Sequence, residues 1–127
     1  ARVLNAAGQT DAARQALRAV AESPADADVA SVARLRLASL ELQAEQPEAA
    51  LGWLAQGMAP GFEGLAADRR GDALMAQGKA EEARQAYGQA WTALDATQDY
   101  RRIVEAKLNA LGVQPGSGAA PQLETSR

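Results

Sequence analysis

The chain has 127 residues, with 13 basic against 16 acidic side chains, a net charge of −3, and neither cysteine nor histidine. This composition excludes disulfides, most transition-metal sites and the commonest nucleophile–base pairs, and it leaves no basic footprint for nucleic acid. Alanine is about a quarter of the sequence and aromatics are only 4%, a balance that favours closely packed helices, while no run of about 18 apolar residues is present to span a bilayer.

In chain order, hydrophobic periodicity and breaker residues predict helices at 1–7, 10–22, 27–44, 47–57, 61–77, 79–94 and 98–111. Gly8 separates the first two. Ser23-Pro24 breaks the chain before the third helix, Pro47 suits a first helical turn, Pro60-Gly61 resets the direction, and Gly78 and Gly112 are placed as left-handed helix caps. Phe62 reads as a staple at a helix start. From Gly112 onward the sequence Val-Gln-Pro-Gly-Ser-Gly-Ala-Ala-Pro reads as a disordered tail over 112–127.

Small residues recur at fixed distances. Gly71, Ala83 and Tyr87 follow Ala38, Ala50 and Leu54 at an offset of 33, and Gly8–Leu17 runs parallel to Gly78–Tyr87. A period near 34 is the tetratricopeptide signature. A Gly or Ala opposite an Ala lets two helix axes approach to about 8 Å, with Leu54 and Tyr87 filling the space one turn further along. The predicted fold is therefore all-α, a tetratricopeptide-repeat α-solenoid of antiparallel hairpins over 1–111, with a partial repeat at 1–22, repeats at 27–57 and 61–94, and a capping helix at 98–111. Asp99, Arg101, Arg102, Glu105 and Lys107 are expected on the outer surface of the cap. The first repeat looks cut within its first helix, leaving an N-terminal edge suited to homodimerisation.

No catalytic residue, phosphate loop or dinucleotide fingerprint is present, so neither enzyme chemistry nor a cofactor is expected. Asp68 and Asp72, one helical turn apart, form the strongest enzyme-like pattern: two carboxylates that could bind a metal or share a proton. The plainer reading is solvated charges neutralised by Arg69 and Arg36. A solenoid of this kind offers its concave wall, where the expected partner-groove residues are Arg36, Ser39, Leu42, Gln43, Asp68, Arg69, Asp72 and Met75, with Val32, Leu35, Leu65 and Ala76 beside them. Leu42 and Met75 are the apolar contacts for an extended or helical peptide, and the charges fix its orientation. Trp53 and Trp91 read as packing between neighbouring repeats, although tryptophan is also common at binding hot spots.

Leu35-Arg36-Leu37-Ala38, the block Gly61-Phe62-Glu63-Gly64-Leu65-Ala66-Ala67-Asp68-Arg69-Arg70-Gly71-Asp72-Ala73-Leu74, then Gly78 with Ala83–Tyr87 and Ala106–Leu111, together resemble the YfgM family of bacterial envelope proteins. The resemblance covers Ala1 to about Gly112. It implies a periplasmic tetratricopeptide domain behind a single N-terminal membrane helix that lies outside this segment. It further implies association with the SecYEG translocon and the membrane-anchored chaperone PpiD, and help to client polypeptides leaving the translocon at the periplasmic side of the inner membrane. The competing reading is a soluble tetratricopeptide scaffold or a regulator-sequestering adaptor in the cytoplasm. A hydrophobic helix upstream of Ala1 in the parent sequence separates the two.

Overall fold

The protein was analysed as a computed structural model, which describes residues 2–23, 25–95 and 99–115. Pro24, Gln98 and residues 116–127 of the expected tail lie outside the described residues. Those described form six helices and no strand: α1 (Arg2–Ala21), α2 (Ala27–Gln43), α3 (Pro47–Leu54), α4 (Glu63–Ala76), α5 (Ala80–Ala93) and α6 (Tyr100–Ala110). They divide into two compact units, Ala1–Phe62 and Glu63–Arg127.

In the first unit α2 packs on both α1 and α3. Asp26 caps α2, its carboxylate accepting the backbone N–H groups of Asp28 and Val29 at 3.0 and 3.1 Å. Pro47 opens α3, where its missing N–H costs no helical hydrogen bond. The core gathers Ala21, Ala33 and Leu37, with Leu17 and Trp53 against them, so Trp53 packs where α1, α2 and α3 meet. Ala38 and Ala50 are both fully buried, as the small-residue spacing predicts. Three polar ties supplement this packing. The Arg14 guanidinium on α1 lies 3.3 Å from the buried Glu41 carboxylate on α2. Ser31 Oγ donates to Ala27 O and accepts the N–H of Ala59, both at 2.8 Å. Arg34 donates to Ala21 O at 2.9 Å and to Gly57 O at 3.0 Å.

In the second unit α4 and α5 form the antiparallel hairpin and α6 lies on α5. Gly71 leaves room for the Tyr87 ring: a Cβ at that position would sit 2.4 Å from Cε1 of Tyr87. Helix α6 buries Val104 and Leu108 completely. Gly112 turns left-handed at φ 86°, and the N–H of Val113 reaches back to Leu108 O at 2.8 Å, a Schellman closure. Gly78 closes α4 in the same way, with Lys79 N–H to Leu74 O at 2.9 Å.

Two expectations change. Helix α1 runs unbroken through Gly8, so the predicted break between 1–7 and 10–22 is absent; a helix tolerates one interior glycine at about 1 kcal/mol. Helix α3 stops at Leu54 instead of residue 57, because Gly57 adopts φ 89°. Helix α2 closes with the same Schellman pattern, Gln46 N–H to Glu41 O at 2.7 Å, yet its left-handed residue is Glu45 at φ 61°, standing 33 residues before Gly78.

Candidate functional site

The polar centre of the second unit is built on the α4 pair. Asp68 and Asp72 stand one turn apart, and α6 presents Tyr100 and Lys107, seven residues apart, on one helical face toward them. Asp68 is completely buried. One of its oxygens accepts from Lys107 Nζ at 2.9 Å; the other accepts from the Tyr100 hydroxyl at 2.5 Å and from Arg69 at 3.2 Å. Asp72 accepts from the Tyr87 hydroxyl at 2.5 Å and from Lys107 at 3.2 Å. Arg69 also donates to the Tyr100 hydroxyl at 2.9 Å. Two carboxylates face two cations, and every one of these groups has a partner.

This arrangement sets the protonation states. Burial alone would lower the Lys107 pKa, but its hydrogen bond to Asp68 and the charges of Asp68 and Asp72 outweigh it and hold the ammonium above its ordinary value. Burial raises both tyrosines; the hydrogen bond to Asp72 adds to this for Tyr87, and that to Asp68 for Tyr100. Lys107 thus stays protonated, and both tyrosines keep their hydroxyl protons, at neutral pH. The chemistry of the network is that of a tether between α4, α5 and α6. Among the described residues no three acidic side chains converge to hold a metal ion.

The expected groove residues fall into different environments. On α2, Arg36 and Gln43 are exposed, Ser39 and Leu42 half-buried, and Leu35 buried. Val29, which the sequence reading passed over, is 49% exposed and extends the Val32–Arg36–Ser39–Gln43 stripe by a turn. On α4, Met75 is 41% exposed, and Arg69 and Asp72 are half-buried. Asp68 is not a solvated charge: its carboxylate is enclosed, and the cations on it are Lys107 and Arg69. Lys107, expected on the outer surface of α6, points inward to that carboxylate. Arg101 lies flat on Trp91, 3.6 Å from the ring centroid, and donates to Trp91 O. The missed members, Tyr100 and Lys107, carry one sequence signal: with Val104 and Leu108 they form a single helical stripe.

Helices joined through buried small residues, Ala38 and Ala50 in one unit and Gly71 and Ala83 in the other, are those of an all-α helical-repeat protein. The chain belongs to the tetratricopeptide repeat-like domain family, which matches residues 1–113. It is 32% identical over 102 residues to the ancillary SecYEG translocon subunit of Escherichia coli (strain K12), a match covering 80% of this chain and 48% of that protein. The chain thus spans about half the length of the curated relative it matches, and the similarity agrees with the YfgM resemblance drawn from the residues. No solved structure matches the chain. Among the described residues no helix is long and apolar enough to cross a membrane.

Proposed function

We propose that the chain is a non-catalytic protein–protein interaction module, an envelope accessory of the Sec translocon at the periplasmic side of the inner membrane, which binds partner or client polypeptide. The observation that carries this reading is the similarity to a translocon subunit along 80% of the chain. Each unit is assigned its own binding face: in the first, the Val29–Val32–Arg36–Ser39–Gln43 stripe on α2, with Leu42 at its edge; in the second, the outer edge of the charged network on α4, Arg69 and Asp72, with Met75. These faces mix apolar and polar groups, as peptide-binding helical surfaces do. Asp68 serves the surface indirectly, by holding Lys107 and Arg69 in place.

Site-specific photocrosslinking in native membranes tests the proposal, with photoreactive groups at Arg36, Gln43 and Met75 and a control at Trp53. Labelling of translocon components or nascent chains from the first three positions and not from Trp53 supports it. Labelling from Trp53 alone reverses the assignment of faces, and labelling of cytoplasmic proteins from all positions favours the scaffold reading.

A further inference from the structure

With no cysteine in the chain, the sulfur atoms open to two-electron oxidation are the thioethers of Met58 and Met75, and the fold treats the two differently. Met58 is half-buried in the connection after α3, and both of its neighbours are pinned: Gly57 O accepts from Arg34 at 3.0 Å, and the N–H of Ala59 donates to Ser31 Oγ at 2.8 Å. Clamps on either side hold this stretch of backbone in place, and with it the partly covered thioether. Met75 stands on the last turn of α4 and is 41% exposed, on the face that carries Asp68 and Asp72. Along that face Asp68 is enclosed, Asp72 half-buried and Met75 open, so the Met75 thioether is the apolar, solvent-facing end of a charged stripe.

Thioether oxidation needs only that hydrogen peroxide reach a sulfur lone pair. The sulfur attacks one peroxide oxygen, the S–O bond forms as the O–O bond breaks, and the departing hydroxide takes the proton of the transferred oxygen to become water; sulfur loses two electrons and the peroxide gains them. The position of the product gives it a consequence. A flexible apolar side chain becomes a polar one with a hydrogen-bond-accepting oxygen, at the residue assigned as the apolar contact of the α4 face. That oxygen has to shed its water when an apolar side chain of a partner comes down on it, which weakens binding. Met75 is exposed and the hydrogen bonds around Asp68, Asp72 and Lys107 run without it, so the fold survives the change.

We propose that Met75 is a modification site: hydrogen peroxide oxidises it ahead of Met58, and its sulfoxide turns off polypeptide binding at the α4 face until a methionine sulfoxide reductase restores the thioether. The effect on binding rests on the α4 face assigned above, whereas the order of oxidation does not.

Two measurements test it. Peptide mass mapping during peroxide treatment follows the gain of one oxygen at each methionine, which is expected to be at least about fivefold faster at Met75 than at Met58, with the helical circular dichroism of the oxidised protein unchanged. Photocrosslinking in native membranes from Ala76, the exposed neighbour of Met75, reads binding before peroxide, after it, and after a sulfoxide reductase. Labelling is expected to fall at least about fivefold on oxidation, to return on reduction, and to stay level throughout in Met75→Leu, which keeps an apolar side chain of similar size. Oxidation of Met58 at an equal or greater rate overturns the site. Labelling that peroxide leaves level, labelling that falls equally in Met75→Leu, or a loss of helicity overturns the switch. No labelling from Ala76 before peroxide overturns the α4 face itself, a failure that the mass map keeps apart from the order of oxidation.

Discussion

Replacing Lys107 by methionine removes the ammonium that touches both carboxylates and keeps most of the side-chain volume. Asp68 is fully enclosed, so the change leaves a buried carboxylate short of its main counter-charge, a situation that costs about 3–5 kcal/mol when a buried pair is broken. Two features bring the expectation to the low end. Asp68 keeps the Tyr100 hydroxyl and Arg69, and the Lys107 side chain is itself 27% exposed. The expected loss is about 2–3 kcal/mol, or about 10 °C in Tm for a chain of this size. An ordinary surface pair would cost about 0.2–1 kcal/mol. Urea unfolding followed by Trp91 fluorescence in a Trp53→Phe background reads the second unit alone. Adding Asp68→Leu to Lys107→Met is expected to restore at least half of the loss, because a buried ion pair replaced on both sides by apolar groups is close to neutral. A single-variant loss below about 1 kcal/mol, or a double variant less stable than the single, refutes the view that Asp68 depends on Lys107.

Gly71→Ala forces a methyl group into the Tyr87 ring, which its hydroxyl bond to Asp72 keeps from sliding away; overpacking is expected to outweigh the gain in helix propensity and cost about 1–2 kcal/mol. Adding Tyr87→Leu, which copies the Ala38/Leu54 pair of the first unit, should recover steric fit, and equal urea midpoints for wild type and Gly71→Ala would show that the contact is loose. Glu45→Gly relieves a left-handed side-chain residue and should raise stability by about 1 kcal/mol, read as a higher Tm; a lower Tm would mean that the Glu45 side chain offsets the strain. The pKa values of Lys107, Tyr87 and Tyr100 all lie above their ordinary values in the folded state, so the stability they contribute is complete below the unfolded values of about 10 and is lost as pH rises beyond them. Thermal melts are expected to hold level to about pH 10 and fall above it, and a Tm level through strong alkali would contradict the network.

How much of this was legible before any coordinates depended on whether a residue had alternatives. Gly78 and Gly112 announced two helix ends because glycine adopts a left-handed backbone without strain, and the small residues at 38, 50, 71 and 83 announced the hairpins because nothing larger lets the axes approach. The end of α2 was placed at residue 44 but its cap was not, since a glutamate carries no sign of left-handed geometry and only the repeat register points to Glu45. Gly8 misled in the opposite direction: a glycine permits a turn but does not impose one. The candidate site was half visible. Periodicity placed Asp68 and Asp72 on one face of α4 but could not say whether water or another helix covers that face. That answer lay 39 residues away from Asp68, in Lys107, whose amphipathic position on α6 fits an outward or an inward side chain equally well until α6 is docked.

The Arg34 guanidinium, which grips the final carbonyl of α1 and that of Gly57, has a consequence for how this sequence can drift. The stretch leaving α1 after Ala21 and the stretch leaving α3 through Gly57 are both anchored on this one tether, so a length change in either strains its hydrogen bond to the shared cation. Related chains should accordingly vary freely in composition along these stretches while keeping their lengths, and those that have lost the arginine should be the ones in which such length changes are found.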